Sequence, residues 1–147
     1  MIKIPTRILI VDDEVDFVDM LALRLEAVGE TVLRAHTGQA ALGQLQINPV
    51  DVVLLDIRMP GMQGIDVLSE IKHLHPLVEV ILLTGHGTVE SAVAGMKLGA
   101  FDFLVKPADF NELTLKLEAA RKRKDAHEDR IRVAEARAIM RKKRGIF

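Results

Sequence analysis

The sequence predicts an α/β fold in which helices cover both faces of a doubly wound, five-stranded parallel sheet. Between residues 7 and 120, five short runs rich in Val, Ile and Leu alternate with five segments of helical periodicity. The apolar runs are continuous rather than alternating, which is typical of strands buried on both faces. Alternating strands and helices favour right-handed crossovers and a parallel sheet. An α+β arrangement is the alternative.

The predicted elements follow one another without an internal repeat. The apolar runs place strands at residues 7–11, 31–35, 52–55, 78–83 and 101–105. Helical periodicity places helices at about residues 15–28, 38–46, 64–75 and 89–98, and from 110 to about 143. Gly29 is expected to follow the first helix and Gly99 the fourth, Thr37 is a candidate N-cap, and Pro76 stops the third helix.

Each predicted helix carries apolar residues on one face, which is expected to pack against the sheet. The expected core positions are Phe17, Leu21, Leu25 and Val28 in the first helix, Ala41, Leu42 and Leu45 in the second, Val67, Leu68, Ile71 and Leu74 in the third, Val89, Ala92, Val93 and Met96 in the fourth, and Leu113 and Leu117 in the last. Glu14 either begins the first helix, which we favour, or packs beside the residues that follow the strands.

Composition excludes several classes of protein. The chain has 147 residues, of which 49% are apolar and 28% are charged, and it contains no Cys. Disulfides, thiolate metal sites and a Cys nucleophile are therefore excluded. No apolar run approaches the roughly 20 residues of a membrane-spanning helix. Residues 1–6 are not followed by the apolar core of a signal peptide, so we expect a cytoplasmic protein.

The formal net charge of −1 conceals an uneven distribution. Residues 1–120 hold nine Lys or Arg and seventeen Asp or Glu, a balance of −8. Residues 121–147 hold eleven Lys or Arg and four Asp or Glu, a balance of +7. A basic segment at the end of an acidic domain is typical of interaction tails.

Charged and polar side chains follow the predicted strands at the edge where an open α/β sheet binds ligands. Asp12 and Asp13 follow the first strand, Asp56 the third, Thr84 the fourth and Lys106 the fifth. Singly, each is an ordinary turn, cap or loop residue, but their coincidence at one edge predicts a site. Clustered carboxylates repel one another, and a hard cation such as Mg²⁺ relieves that repulsion.

The same residue types suit phosphoryl transfer. A carboxylate oxygen of Asp56 can accept the phosphoryl group, while the ammonium of Lys106 and the hydroxyl of Thr84 stabilise charge on its equatorial oxygens. A hydrolytic aspartyl-phosphate enzyme would need a second catalytic acid two residues after the acceptor, and that position holds Arg58. The five histidines are scattered along the chain and predict no metal site.

These residues, in this order, resemble the receiver domain of two-component response regulators, of the CheY-like superfamily. The likeness covers about residues 6–120. It includes the Asp12-Asp13 pair, the segment VVLLDIRMPGMQG at residues 52–64, LLTG at 82–85 and FDFLVKP at 101–107. The resemblance implies a flavodoxin-like strand order of 2-1-3-4-5. It also implies a phosphoacceptor signalling domain rather than an enzyme with a separate substrate.

The resemblance implies a role for each site residue. Asp56 would accept the phosphoryl group from a phosphohistidine of a sensor histidine kinase or a histidine phosphotransfer protein. Lys106 would pair with Asp56 and then with the phosphoryl group. Asp13, Asp56 and the backbone carbonyl of Arg58 would bind Mg²⁺ directly, and Asp12 would act through metal-bound water.

The resemblance also implies a conformational switch. Thr84 would move toward the phosphoryl oxygens and Phe103 would follow it inward, changing the surface of the fourth helix, fifth strand and fifth helix for partner binding or dimerisation. Phe103 has no hydroxyl, so its part in the switch would depend on packing. The peptide bond between Lys106 and Pro107 would be cis. His86, two residues after Thr84, is expected to be a solvated loop residue.

The last helix is predicted to continue beyond the domain, so we assign residues 1–124 to the receiver domain and 125–147 to a basic helical extension. Acid-before-base pairs at Glu112/Lys116, Glu118/Lys122 and Glu128/Arg132 support the helix. Ala126, Val133, Met140 and Phe147 recur every seven residues, but the intervening positions make a poor coiled-coil seam. The extension is an exposed helix, a helix that dimerises or docks a partner, or a helix that contacts an acidic surface.

We do not expect the chain to contact nucleic acid directly. Basic clusters at residues 121–124 and 141–144 motivate that possibility. However, no helix-turn-helix unit, zinc module or interleaved aromatic residues accompany them.

Two functions remain open. The chain is a stand-alone response regulator that acts by protein contacts, or it is the receiver portion of a transcription regulator whose ATPase or DNA-binding effector domain lies beyond this chain. We favour the first function; TGHGT at residues 84–88 and GAFDFL at 99–104 resemble receivers attached to enhancer-binding ATPases, which keeps the second function open.

Overall fold

A computed structural model describes residues 4–59, 61, 63–85 and 89–145, and its elements alternate as predicted. They are β1 (Arg7–Val11), α1 (Val15–Ala27), β2 (Thr31–Ala35), α2 (Gly38–Ile47), β3 (Val52–Asp56), α3 (Gly64–Leu74), β4 (Glu79–Thr84), α4 (Val89–Lys97), β5 (Asp102–Val105) and α5 (Phe110–Arg144). The predicted ends differ from these by at most one residue. Pro60, Met62, His86, Gly87, Thr88 and Phe147, named above, lie outside the described residues.

The five strands form one parallel sheet in the order β2-β1-β3-β4-β5, which confirms the predicted topology. The register places Val11 beside Ala35 and Leu55, and Thr84 beside Val105. Because the strands are parallel, their carboxyl ends lie along one side, here called the carboxyl edge, and their amino ends along the opposite side, the amino edge.

Successive strand residues enter two separate cores. In β1, Ile8 and Ile10 join the core covered by α1 and α5, whereas Leu9 and Val11 join the core covered by α2 and α3. The strands β3 and β4 alternate in the same way and are fully buried. Burial on both faces explains why these strands are continuous apolar runs.

Local sequence signals end the helices where predicted. Gly29 and Gly99 have φ angles of 92° and 105°, which residues other than Gly rarely adopt. At each, two backbone hydrogen bonds close the end of the helix, as in a Schellman motif. The Oγ1 atom of Thr37 accepts a hydrogen bond of 3.0 Å from the N–H of Ala40, which confirms the predicted N-cap.

The predicted core face of α1 was partly wrong. Its buried residues are Val18, Leu21, Ala22 and Leu25, which have the i, i+3, i+4, i+7 spacing of a straight helical face. Val28 is 47% exposed because it lies after the last turn, whereas Phe17, at the start of the helix, is half-buried and packs against the core.

Three further core assignments were also wrong. Leu74, Val93 and Met96 are exposed. Leu74 is the last residue of α3, where the helix leaves the sheet. In α4 the contact with β4 is made by small residues: a Cβ added at Gly95 would lie 2.2 Å from Cδ1 of Leu82. This close approach turns the neighbouring large side chains of α4 toward solvent. The side chain of Val89, also assigned to the core, lies outside the described part of the chain.

Two buried carboxylates at the amino edge bind α5. Asp51, just before β3, accepts hydrogen bonds from Nε and Nη2 of Arg7 at 3.1 and 2.8 Å. Nζ of Lys124 lies 2.9 Å and Nη1 of Arg121 lies 3.3 Å from the same carboxylate. Nε of Arg123 lies 3.1 Å from Oε2 of Glu79, the first residue of β4. Three members of the basic cluster at residues 121–124 therefore stabilise the fold.

These contacts determine the protonation of Asp51. Burial acts to raise its pKa, but hydrogen bonds from Arg7 and the ammonium of Lys124 outweigh burial and hold the pKa of Asp51 well below its usual value. Asp51 thus stays ionised wherever the domain is folded near neutral pH, and its charge contributes to stability.

Beyond Lys124, α5 becomes progressively exposed, and residues 129–145 are all exposed. The whole helix of 35 residues is about 50 Å long. The ion pairs Glu112/Lys116 and Glu118/Lys122 are present, whereas Glu128 pairs with Lys124 and Arg132 with Asp129 instead. Within the described ranges, no helix is both long and apolar enough to cross a membrane.

We expect Asp51→Asn to lower the free energy of unfolding by about 3 kcal/mol at pH 7, because it leaves buried cations without their partner. Urea unfolding monitored by circular dichroism measures this loss. The matched control is Asp19→Asn, which removes an ion pair of 2.9 Å with Arg34 in which both side chains are well exposed and should cost less than about 1 kcal/mol.

The loss should also depend on pH. The folded pKa of Asp51 is depressed, so its stabilisation is present above about pH 4 and disappears as the pH falls through the folded pKa. The difference between Asp51→Asn and the unmodified protein should therefore shrink below about pH 4. Equal losses for the two variants at pH 7 would contradict this account.

Candidate functional site

The carboxyl edge brings the five predicted site side chains to one end of the sheet. Asp12 and Asp13 directly follow β1, and Asp56 ends β3. Thr84 ends β4, and Lys106 directly follows β5. The strands β1 and β3 are neighbours at the point where the strand order reverses, which is where open α/β sheets form their ligand sites.

Three carboxylates form a cluster with the composition of a metal site. Asp12, Asp13 and Asp56 each place one oxygen within 4.8 Å of the others. Asp12 and Asp56 are buried, whereas Asp13 is exposed. Carboxylate oxygens are the donors that hard divalent cations prefer, and an exposed side lets such an ion keep water ligands. The cluster could therefore hold a metal ion.

Lys106 provides positive charge beside this cluster. Its Nζ donates a hydrogen bond to Oδ2 of Asp12 and lies 3.6 Å from Oδ2 of Asp56 and from Oε1 of Glu14. The implied ion pair with Asp56 is present, but the hydrogen bond goes to Asp12. Burial acts to lower the pKa of Lys106, and the neighbouring carboxylates overcome that effect and raise it. Lys106 is therefore a permanent cation here.

The charge on Asp56 is only partly compensated. Burial is the largest effect and raises the pKa of Asp56 to about 6. The backbone N–H of Arg58 and the ammonium of Lys106 oppose the rise, while the charges of Asp12 and Asp13 add to it. Near neutral pH this carboxylate is mostly ionised, so a bound cation would stabilise its negative charge.

The loop after β3 holds Asp56 in place. The N–H of Arg58 donates to Oδ1 of Asp56 at 3.1 Å, and the N–H of Gly64 donates to the carbonyl of Ile57 at 3.0 Å. A Cβ at Gly64 would lie 2.5 Å from the carbonyl oxygen of Asp56, so this close approach requires Gly. Arg58 thus lies beside the cluster, and metal binding by its carbonyl stays a prediction.

The predicted switch residues lie on the β4–β5 side of the site. Thr84 is buried, and its Oγ1 is 3.5 Å from the carbonyl oxygen of Leu104. Phe103 is half-buried against the core under α2 and α3. The peptide bond between Lys106 and Pro107 is cis, the isomer that the resemblance implies.

Two residues near the site have no predicted role there. Phe17 places its ring centroid 4.5 Å from Nζ of Lys106, and Nδ1 of His36 lies 3.0 Å from the backbone oxygen of Asp12. The signals were present in the sequence, since Phe17 is one helical turn after Asp13 and His36 directly follows β2. The fold and this edge define a doubly wound α/β domain with a charged site for a cation at its topological switch point.

Comparison with known proteins identifies the family. Residues 8–118 match the response regulator receiver domain family. The chain is 42% identical over 113 residues to the transcriptional regulatory protein ZraR of Escherichia coli (strain K12), which is 77% of this chain and 26% of that protein. The chain therefore belongs to the response regulator receiver domain family.

Solved structures agree with this assignment. A response regulator receiver domain protein from Clostridium thermocellum has a TM-score of 0.79 and 37% identity, covering 82% of this chain and 98% of that one. NtrX from Brucella abortus, in complex with ADP, has a TM-score of 0.81 and 34% identity, covering 86% of this chain and 29% of that one. The chain spans about a quarter of the length of the curated relatives it matches.

Without divalent cations, we expect Asp56→Asn to raise the free energy of unfolding at pH 7.5 by about 1–3 kcal/mol. The folded pKa of about 6 exceeds the ordinary unfolded value, so the unmodified protein loses stability as the pH rises from about 4 through 6. The variant escapes that loss. Thermal unfolding in a chelating buffer from pH 4 to 8 measures the difference.

Adding Mg²⁺ should stabilise the unmodified protein more than the variant and so reduce the difference. Asp66→Asn is the control, because Asp66 is an exposed residue of α3 outside the cluster of Asp12, Asp13 and Asp56 and should bring no gain. A difference between the Asp56 variant and the unmodified protein that does not change with pH would contradict the raised pKa.

Proposed function

We propose that the chain is a cytoplasmic phosphoacceptor domain of a two-component system. Asp56 accepts a phosphoryl group, with Mg²⁺, from a sensor histidine kinase or a histidine phosphotransfer protein. The observation that carries the proposal is a buried Asp56 whose pKa is raised to about 6, placed among Asp12, Asp13 and Lys106. Family membership supports the same function.

The residues at the carboxyl edge fit Mg²⁺. Asp13, Asp56 and the carbonyl of Arg58 would hold the ion directly, and Asp12 would act through metal-bound water. Bound there, Mg²⁺ supplies positive charge that compensates the carboxylates and the incoming phosphoryl oxygens.

The chain's own residues carry the transfer. A carboxylate oxygen of Asp56 forms a bond to phosphorus while the bond from phosphorus to the donor nitrogen breaks, and the electron pair of that bond leaves with the imidazole of the donor. The ammonium of Lys106 and the hydroxyl of Thr84 stabilise the negative charge on the phosphoryl oxygens. The domain is itself the acceptor, and the same residues would assist both its phosphorylation and its dephosphorylation.

Phosphorylation of Asp56 adds charge and acceptor oxygens next to Thr84, and we propose that Thr84 and Phe103 respond by moving toward the site. The affected surface is the α4-β5-α5 face. It already exposes apolar side chains, namely Val93, Met96, Leu98 and Val105. Exposed apolar side chains grouped on one face suit a protein partner or a second copy of the chain.

We propose that residues 1–124 form the receiver domain and that residues 125–147 form a basic helical extension. Arg121, Arg123 and Lys124 are engaged with buried carboxylates, so this cluster is poorly available for nucleic acid. The exposed remainder of α5 is a candidate surface for homodimerisation.

A second candidate function is the receiver portion of a transcription regulator with an ATPase or DNA-binding effector domain beyond this chain. The names of the relatives ZraR and NtrC, both transcriptional regulators, favour it, as does the share of their length that this chain spans. Sequencing the gene downstream of the codon for Phe147 distinguishes the two candidates.

We expect acetyl phosphate with Mg²⁺ to add one phosphoryl group to the protein and none to Asp56→Asn, because the amide is not a nucleophile of comparable strength. Intact-mass spectrometry measures the addition. Asp19→Asn, on the exposed side of α1, should be labelled like the unmodified protein. A label that persists in Asp56→Asn would rule out Asp56 as the acceptor.

If the chain dimerises through α5, its self-association should depend on the extension and on phosphorylation. We expect sedimentation velocity to show self-association of the full chain that increases with acetyl phosphate and Mg²⁺ and that weakens in a chain ending at residue 124. The same association state for the two chains, with and without the phosphodonor, would exclude the extension from dimerisation.

A further inference from the structure

We infer that Phe17 is a positioning residue whose aromatic face holds the ammonium of Lys106 at the acidic cluster. The inference rests on the proposed function, since it assigns Phe17 a part in phosphorylation of Asp56. The Nζ of Lys106 lies 4.5 Å from the centroid of the Phe17 ring. Neither the three carboxylates nor Mg²⁺ requires this contact.

The ring completes the surroundings of the ammonium. Oxygens of Asp12, Asp56 and Glu14 lie within 3.6 Å of Nζ, and the side chain of Lys106 is only 16% exposed. A cation within about 6 Å of a ring centroid is attracted by the negative face of the ring. The Phe17 ring therefore adds an attraction to the ammonium beside those of the carboxylates.

Core packing accounts for only part of the position of Phe17. The buried face of α1 is formed by Val18, Leu21, Ala22 and Leu25, whereas Phe17 is half-buried at the margin of that core. Helix α1 begins directly after Asp13 and Glu14. Phe17 therefore lies in the first turn of α1, close in sequence to the acidic residues.

The contact suits a cation that must change partners. Lys106 now donates to Asp12 and lies farther from Asp56, and in the proposed reaction it turns toward phosphoryl oxygens. A hydrogen bond fixes one direction, whereas the attraction to a ring face varies little as the ammonium reorients above it. The low exposure of Lys106 also strengthens its attraction to the developing negative charge.

The test compares Phe17→Leu with Phe17→Tyr in the full chain. Leucine keeps an apolar side chain but removes the aromatic face, and tyrosine keeps the face. With acetyl phosphate and Mg²⁺, we expect Phe17→Leu to slow the labelling of Asp56 by between about 2-fold and 30-fold. Phe17→Tyr should stay within about 2-fold of the unmodified rate. Intact-mass time courses measure these rates.

Phe101→Leu is the matched control. Phe101 is another half-buried phenylalanine at the margin of the same core, and its ring centroid lies 5.6 Å from the guanidinium of Arg123. Phe101 directly precedes β5, so the control removes a cation–π contact of the same kind at the amino edge. It should leave the labelling rate unchanged, and thermal unfolding of all variants shows whether they are equally folded.

A double-mutant cycle separates positioning from general packing. In a Lys106→Ala background, Phe17→Leu should slow labelling no further, because the cation that the ring holds is gone. A further slowing of the same size, equal slowing by the leucine and tyrosine variants, or a normal rate in Phe17→Leu would each overturn the inference. Absence of label in the protein without substitutions would instead refute the proposed function.

Discussion

Parallel pairing of the five strands sends every residue that follows a strand to the same edge of the sheet. Asp12, Asp13, Asp56 and Lys106 are separated by up to 94 positions in sequence, yet strand direction alone places them together. Each crossover helix returns the chain to the opposite edge, so charged residues that precede strands meet there instead. The two edges are therefore built from different parts of every β-α unit.

The two edges shift the pKa of a buried carboxylate in opposite directions. At the amino edge, Arg7 and Lys124 outweigh the cost of burying Asp51 and lower its pKa. At the carboxyl edge, burial and neighbouring carboxylates outweigh Lys106 and raise the pKa of Asp56 to about 6. The first arrangement stabilises the folded chain without a ligand. The second leaves negative charge that a cation can compensate, and this suits a site whose occupants are charged.

The long helix α5 belongs to both the domain and the extension. Its first turns bury Leu113, Leu117 and Ala120 against the sheet, and then ion pairs to Asp51 and Glu79 continue the attachment where the apolar stripe ends. Past Glu128, every described residue of the helix is exposed. The direction of the exposed part is thus set by charged contacts at the amino edge.

The sequence by itself determined the elements, their order and the acidic cluster, because apolar periodicity, cap residues and strand-end residues are local signals. Tertiary structure decided which helix faces are buried, since Gly95 lets α4 approach β4 and turns Val93 and Met96 outward. It also decided that Lys106 donates to Asp12 and rests against Phe17. Such contacts depend on distances between elements far apart in sequence, which no local pattern encodes.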